Sequence, residues 1–346
     1  MNRIKAHLGM IERMGARPTL VDVAKLCGVT PATVSRVLNG KSKFSASDAV
    51  REKILETAAK LGYVPDLSAR NLNRRATRII GLFASPVTHV AEGINDSLLS
   101  GISSVLHAGG YDVFFELSSS SPATPPLPAG RFDGAILMQA PKPETIAELD
   151  RRRVPYVCVN ERIGNPAASV LADDIAGMTR AVEHLQQFNH RRIAYANARA
   201  GYLSHYSVPE RYETLLSEVS ARGIELAPGH DVPFTTASDY LDVAVKHGGA
   251  TAIITYDHTI AIEIVGAAYQ AKMSIPRDFS LICFNDVFPV SLMPPPLTAV
   301  AVSGREMGRV GAELLLNHLL SPRTSPSREI RVAEELIIRG STAPRK

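Results

Sequence analysis

From Ile79 onward the chain keeps one rhythm: a short apolar run, a stretch of helical period, then another apolar run. "RIIGLFAS", "YDVFFEL", "FDGAILM" and "VPYVCVN" are followed by "RIAYANA", "TAIITY" and "SLICFN". Between them, helical patterns run from about Glu92 to Ala108, after Pro143, from Ile175 to Phe188, from Arg211 to Arg222 and from Thr259 to Ala271. Strands alternating with helices are joined by crossovers, and crossovers make neighbouring strands parallel, with helices over both faces. The rhythm predicts an α/β body, and its length suits two doubly wound parallel-sheet subdomains.

In open sheets of this kind, small molecules bind beyond the carboxyl ends of the strands. The polar residues there are Ser85 and His89, Asn160 and Arg162, Tyr256 and Asp257, and Asn285 and Asp286. Such a cluster suits a ligand dense in hydroxyls, because each hydroxyl both donates and accepts. Helix capping competes with this reading: Asp257 precedes "HTIAIEIV", and Asp173 or Asp174 precedes "IAGMTRAVEHL". For Asp257 both readings stand. Arg211 opens a predicted helix, where a cation opposes the helix dipole, so a ligand role explains it better than a structural one.

Upstream of the body the character changes. Residues 1–78 hold 15 Lys/Arg against 6 Asp/Glu, a net +9, whereas the remaining 268 carry −5. A basic module joined to a mildly acidic body points to a polyanionic partner. Within it, "TLVDVAKLCGVTPATVSRVLNGK" reads as two short helices crossing at a glycine. Thr19 caps the first, about Leu20 to Leu26, with Asp22 in its first turn. Gly28 takes the sharp turn, Thr30 caps the second helix, and Pro31 suits its first turn. That second helix buries Val34 and Leu38 and exposes Ala32, Ser35 and Arg36, the plan of a helix-turn-helix. A third helix starts at Ser45, places Val50, Ile54, Leu55 and Ala58 on one face, and ends at Gly62. The following "DLSARNLNRRATRIIG" is polar, basic and too short to be a stable helix alone.

Other classes are excluded by what the sequence lacks. No apolar run reaches the length of a bilayer span, and "MNRIKAHLGMIERM" has no uninterrupted apolar core of a secretory signal, so a cytoplasmic protein without a membrane role is expected. Cys27, Cys158 and Cys283 have no metal-ligand spacing and read as buried thiols. There is no GxGxxG, GxxxxGK[ST], GxSxG or HExxH, so no catalytic residue, cofactor or metal is expected.

"TLVDVAKLCGVTPATVSRVLNG", "VREKILETAAKLGYVPDLSARNL", "PPLTAVAV" and "LIIRGST" together resemble the lactose-repressor and galactose-repressor family of bacterial transcription factors, over nearly everything after residue 18. The resemblance implies a basic extension (1–17), a helix-turn-helix domain (18–65), a hinge helix and linker (66–77), and a periplasmic-binding-protein-like effector and dimerisation domain (78–346). Its N-subdomain would take about 78–160 and 300–328, its C-subdomain about 173–287 and 330–341. Pro31, Ala32 and Arg36 would face base edges, with Arg36 the candidate for a bidentate guanine contact. Thr19, Thr30, Thr33, Ser35, Asn39 and Lys43 would meet phosphates or support that docking. Two hinge helices would pair in the minor groove, Leu72 wedging between base steps and Ala69 allowing close approach. Arg211 matches the family's ligand-binding arginine and Phe234 the ring that packs on the ligand.

Departures accompany the match. Asn160 and Asn285 stand where sugar-binding relatives often carry aspartates, Tyr256 where asparagine is common, Thr214 where glycine is usual, and residues 118–130 form a Pro/Ser-rich loop in place of a helix. The implied function is a homodimeric repressor of carbohydrate-utilisation genes, on a pseudo-palindromic double-stranded operator, controlled by a small sugar or glycoside. A purine, nucleoside or phosphorylated metabolite is the alternative effector, and a solute-binding transport protein the distant alternative. The chain ends without a leucine heptad segment, which favours a dimer over a tetramer.

Overall fold

The computed structural model describes residues 18–38, 46–64, 76–84, 92–117, 132–138, 143–162, 164, 166, 168–321 and 328–345. The chain divides into two compact units, Met1–Thr77 and Arg78–Lys346.

In the first unit, helix α1 (Leu20–Cys27) opens on a reciprocal cap: the Asp22 amide donates to Thr19 Oγ1, and the Thr19 amide donates to the Asp22 carboxylate at 2.9 Å. It ends at Gly28, whose φ of 70° is left-handed backbone that glycine enters without strain. Helix α2 (Pro31–Leu38) follows after the turn, and α3 (Asp48–Leu61) closes over both. Val23, Val34 and Ile54, all fully buried, form the centre of this small core. Two inward faces differ from expectation. In α2 the buried partner of Val34 is Val37, three residues on, and Leu38 is only partly covered. In α3 the face is Ile54, Thr57, Ala58 and Leu61, spaced by three and four, so Leu55 projects outward and is 49% exposed. The expected start at Ser45 lies outside the described residues; Ser47 is the residue before the helix.

The second unit contains, among the described residues, two six-stranded sheets of matching order. The first sheet comprises β1 (Ile79–Ala84), β2 (Asp112–Leu117), β3 (Gly134–Met138), β4 (Tyr156–Val159), β5 (Ala168–Ala172) and, from late in the chain, Arg328–Val332. Every pairing in it is parallel. The second is built from β6 (Arg192–Ala196), β7 (Glu225–Leu226), β8 (Ala252–Thr255), β9 (Ser280–Phe284), β10 (Thr298–Ala301) and Glu335–Ile337, parallel except for that last strand. The α/β doubly wound architecture is thus present twice. The three cysteines are buried and form no disulfide.

The subdomain divide falls elsewhere than the expected boundaries. Residues 330–332, expected in the C-subdomain, belong to the first sheet, and 300–301, expected in the N-subdomain, to the second; 168–172, expected in neither, complete the first sheet. "ASVLA" and "TAVA" are too short to stand out as strands, yet each completes the ladder of a buried neighbour whose backbone groups need partners. The chain therefore passes between the sheets after Ala172, after Ala301 and after Val332. After the second passage, Gly304–Leu320 packs back on Glu92–Ala108 of the first half. That approach is set by glycines: a Cβ at Gly101 would collide with the Arg305 carbonyl, and one at Gly308 with the Leu98 carbonyl.

Candidate functional site

The helix expected to face bases is α2. Pro31, Ala32 and Arg36 are exposed along it, whereas Thr33 and Ser35 are half-buried. Thr30 caps the helix, accepting from the Thr33 amide at 3.2 Å, and its hydroxyl meets that of Thr33 at 2.9 Å. Thr19 and Thr30 thus hold helix N-termini in place, and these are ends that favour phosphate oxygens. Asn39, Lys43, Ala69 and Leu72 lie outside the described residues, as do Ser85 and His89 of the body.

In the body the two sheets are equivalent at one point. Asn160 follows β4 and Asn285 follows β9, the corresponding strands of the matching orders. Both have left-handed backbone, φ 58° and 72°, a conformation asparagine tolerates better than most residues. Each amide donates to the next strand, Asn160 to Val170 at 2.8 Å and Asn285 to Val300 at 2.9 Å. Their side chains differ. Asn160 Oδ1 accepts from the Tyr206 hydroxyl at 3.1 Å, whereas the buried Asn285 Oδ1 has no partner.

Asn160 is joined to the second sheet by residues entering helix Ser207–Arg222. His205 Nε2 lies 3.0 Å from the Asn160 carbonyl, His205 Nδ1 2.8 Å from Ser207 Oγ, and Ser207 Oγ 2.9 Å from the Tyr256 hydroxyl. Burial lowers the His205 pKa against the pull of Glu161, which favours the neutral ring. A carbonyl can only accept, so Nε2 carries the proton and Nδ1 accepts from Ser207, leaving Ser207 to accept from Tyr256. A directed chain of hydrogen bonds therefore runs from the end of β8 to the end of β4. Beside it the Ala172 amide donates to the Tyr206 hydroxyl at 3.0 Å. Glu210 gathers two guanidinium groups, Arg162 at 3.0 Å and Arg331 at 2.8 Å. Burial alone would raise the Glu210 pKa; these arginines reverse it to a lowered value.

Arg211 is the most enclosed of the described cationic candidates. The helix begins four residues before it, at Ser207, so it stands in the second turn and its position has a structural cause. Arg211 Nε donates to Asp174 Oδ1 at 2.5 Å and Nη1 to the Tyr256 carbonyl at 2.6 Å. The guanidinium carbon lies 3.9 Å from the Phe284 ring centroid and 4.9 Å from that of Tyr256. Burial works to lower the Arg211 pKa, and the Asp174 and Glu334 carboxyls outweigh it, so the group is held protonated.

The capping question resolves by position. Asp173 caps Asp174–Gln187 through the Ala176 amide, while Asp174 is fully buried against Arg211. Asp257 caps His258–Gln270: its Oδ1 accepts from the Ile260 amide at 3.0 Å and from the Thr259 hydroxyl at 2.7 Å. Asp286 is held by both terminal nitrogens of Arg339. Phe234 is buried in the second core, 5.6 Å from the Tyr240 ring, with Arg199 5.0 Å over its face. Asp174 was named from sequence only as a possible helix cap, and His205, Tyr206, Ser207, Glu210, Arg331 and Glu334 were not singled out. One legible signal was Ser207 standing four residues before Arg211, on the same helical face. Among the described residues no group of three His, Cys, Asp or Glu could hold a metal ion, and no helix is long and apolar enough to cross a membrane.

Two family descriptions match the chain: bacterial regulatory proteins of the lacI family over residues 19–66, and the periplasmic binding protein-like domain over 182–342. The chain is 26% identical to the probable HTH-type transcriptional repressor ExuR of Bacillus subtilis, over 92% of this chain and 97% of that protein. It is 25% identical to the ribose operon repressor of Escherichia coli K12, over 93% and 99%. In fold it is similar to the lac repressor dimer bound to operator and the anti-inducer ONPF, with a TM-score of 0.77 and 22% identity over 94% of this chain and 99% of that one.

Proposed function

Because this chain belongs to the lacI family of bacterial regulatory proteins, we propose that it is a cytoplasmic transcriptional repressor of carbohydrate-utilisation genes. It binds double-stranded operator DNA as a homodimer, and a small sugar or glycoside controls its operator occupancy. One observation carries the reading: a single chain combines a basic helix-turn-helix, with Arg36 exposed on its second helix, and a body whose two sheets converge on polar residues through the Asn160–Ser207–Tyr256 chain of hydrogen bonds. Residues 18–65 read the DNA, 66–77 link, and 78–346 take the effector and dimerise. Arg36 and Ala32 meet bases; Thr19, Thr30, Thr33 and Ser35 support docking on phosphates. No catalytic role is assigned to any residue.

The binding of effector shifts a population between two arrangements of the subdomains, and three chain passages transmit the shift. The test is footprinting of the purified protein on the DNA upstream of its own and neighbouring genes, with and without a panel of sugars and nucleobases. The expected footprint is a pseudo-palindrome whose half-sites lie roughly one helical turn, about 10 base pairs, apart. An asymmetric single site, or a response confined to nucleobases, overturns the corresponding half of the proposal.

A further inference from the structure

The arginines around the strand ends are already matched. Arg211 is paired with Asp174, Arg162 and Arg331 with Glu210 and Glu329, Arg339 with Asp286, and Arg199 with Glu263. Most of the polar atoms left over in the same region are acceptors, the Tyr195 hydroxyl being able to donate as well. Asp174 Oδ2, Asn285 Oδ1 and both carboxyl oxygens of Glu334 are buried and have no hydrogen-bond partner. Glu334 lies in the third passage between the sheets, between strands Arg328–Val332 and Glu335–Ile337, and is 1% exposed. It reaches Gly177, three residues after Asp174 on the same helix; a Cβ there would collide with Glu334 Oε2, so glycine makes the room. Arg180 donates to the Glu334 backbone carbonyl. Two acidic side chains, Asp174 and Glu334, thus share the neighbourhood of one buried guanidinium.

We propose that Asp174 sets the charge class of the effector: by occupying Arg211, it makes the site favour neutral, hydroxyl-donating ligands and reject carboxylated or phosphorylated ones. The inference rests on the reading of the strand ends as the effector site. An anion arriving there must displace Asp174 from Arg211 or lie against the Asp174 carboxylate, and like charges brought together out of water cost far more than a hydroxyl donating to the same oxygens. Glu334 adds no second charge, because burial beside Asp174 pushes its carboxyl well up toward the protonated form. A neutral sugar meets acceptors without partners and disturbs no ion pair. Asp174 acts through Arg211 and is a positioning residue.

The test is calorimetric titration of the full chain with matched probes: glucose and glucuronate, galactose and galacturonate, ribose and ribose 5-phosphate. The wild type should bind a neutral member and bind its anionic match at least about tenfold more weakly. Asp174→Asn keeps the shape and releases the guanidinium, so it should shift that ratio toward the anion by at least about tenfold. Asp174→Ser, smaller and equally uncharged, also releases the guanidinium, should shift the ratio in the same direction and serves if Asp174→Asn fails to fold. Wild-type binding of an anionic member as tight as its neutral match overturns this inference and leaves the sugar-responsive repressor intact. An unchanged ratio in both variants overturns it as well. Silence of every probe on all three proteins removes the effector reading, and this inference with it.

Discussion

In the small unit the capping threonines find their partners three residues away; in the body the arginines at the strand ends reach across the chain. Thr19 bonds Asp22 and Thr30 bonds Thr33, each within one helical turn. Arg211 bonds Asp174 at a separation of 37 residues, Arg162 bonds Glu210 at 48, and Arg331 bonds Glu210 at 121. The small unit therefore exposes its functional surface on a scaffold that local caps already fix. The body creates its candidate site only when two sheets and three chain passages come together. Damage to the first should change recognition and spare folding, while damage to the second should change folding and recognition together.

The largest effect tests that contrast most directly. Arg211→Ala removes one member of a buried ion pair and leaves Asp174 buried without its counter-charge, which typically costs about 3–5 kcal/mol. Chemical unfolding of the full chain, followed by circular dichroism, should show the body's transition at markedly lower denaturant. A transition at the wild-type midpoint would mean that Arg211 is held for its ligand alone, which breaks the contrast. Next comes Tyr206→Phe. It leaves the Ala172 amide without its acceptor and Asn160 Oδ1 without its donor, a loss of about 1–3 kcal/mol. Calorimetry should show a lower melting temperature for the body with unchanged affinity for DNA in the absence of effector.

The same contrast explains what could be read from the sequence. The strand and helix rhythm, the caps at Thr19 and Thr30 and the turn at Gly28 are local patterns, and local patterns survive in a string of letters. The strands Ala168–Ala172 and Thr298–Ala301 were missed because pairing with a distant neighbour, not their own apolar period, makes them strands. Arg211 was singled out for a wrong local reason: it stands in the second turn of its helix, and the residue that explains it, Asp174, was visible only as one of two rival caps. Asp257 went the other way, since its Oδ1 is committed to the helix it precedes. Glu334 carried no signal at all, because a buried carboxyl in a strand connection looks like a solvated loop residue until the fold encloses it.

On the other side of the comparison, Arg36→Ala should change unfolding by less than about 1 kcal/mol, because interactions of an exposed side chain contribute little. A bidentate arginine–guanine contact contributes about 1–3 kcal/mol of discrimination, so operator affinity should fall roughly ten- to hundredfold while affinity for unrelated DNA falls much less. Gel-shift titrations on operator and scrambled duplexes read both quantities. Equal losses on the two duplexes would reassign Arg36 to the phosphate backbone.

The smallest effect asks whether a cap in the reading unit does one job or two. Thr19 Oγ1 receives the Asp22 amide while the Thr19 amide donates to the Asp22 carboxylate, so Thr19→Ala removes half of a reciprocal pair and should cost the small unit about 1 kcal/mol. Thr19→Ser keeps the hydroxyl and should restore that stability. If Thr19 serves only the helix end, hydrogen exchange of the α1 amides will show the loss in Thr19→Ala, and operator affinity will fall only by the fraction of the unit left unfolded. If the hydroxyl also meets a phosphate, Thr19→Ala will lose further affinity at low salt, where phosphate contacts weigh most, and Thr19→Ser will recover it. A Thr19→Ala protein with unchanged exchange and weakened DNA binding would place the threonine on the side of recognition alone, and the claim that local caps carry this unit's scaffold would fail at its first residue.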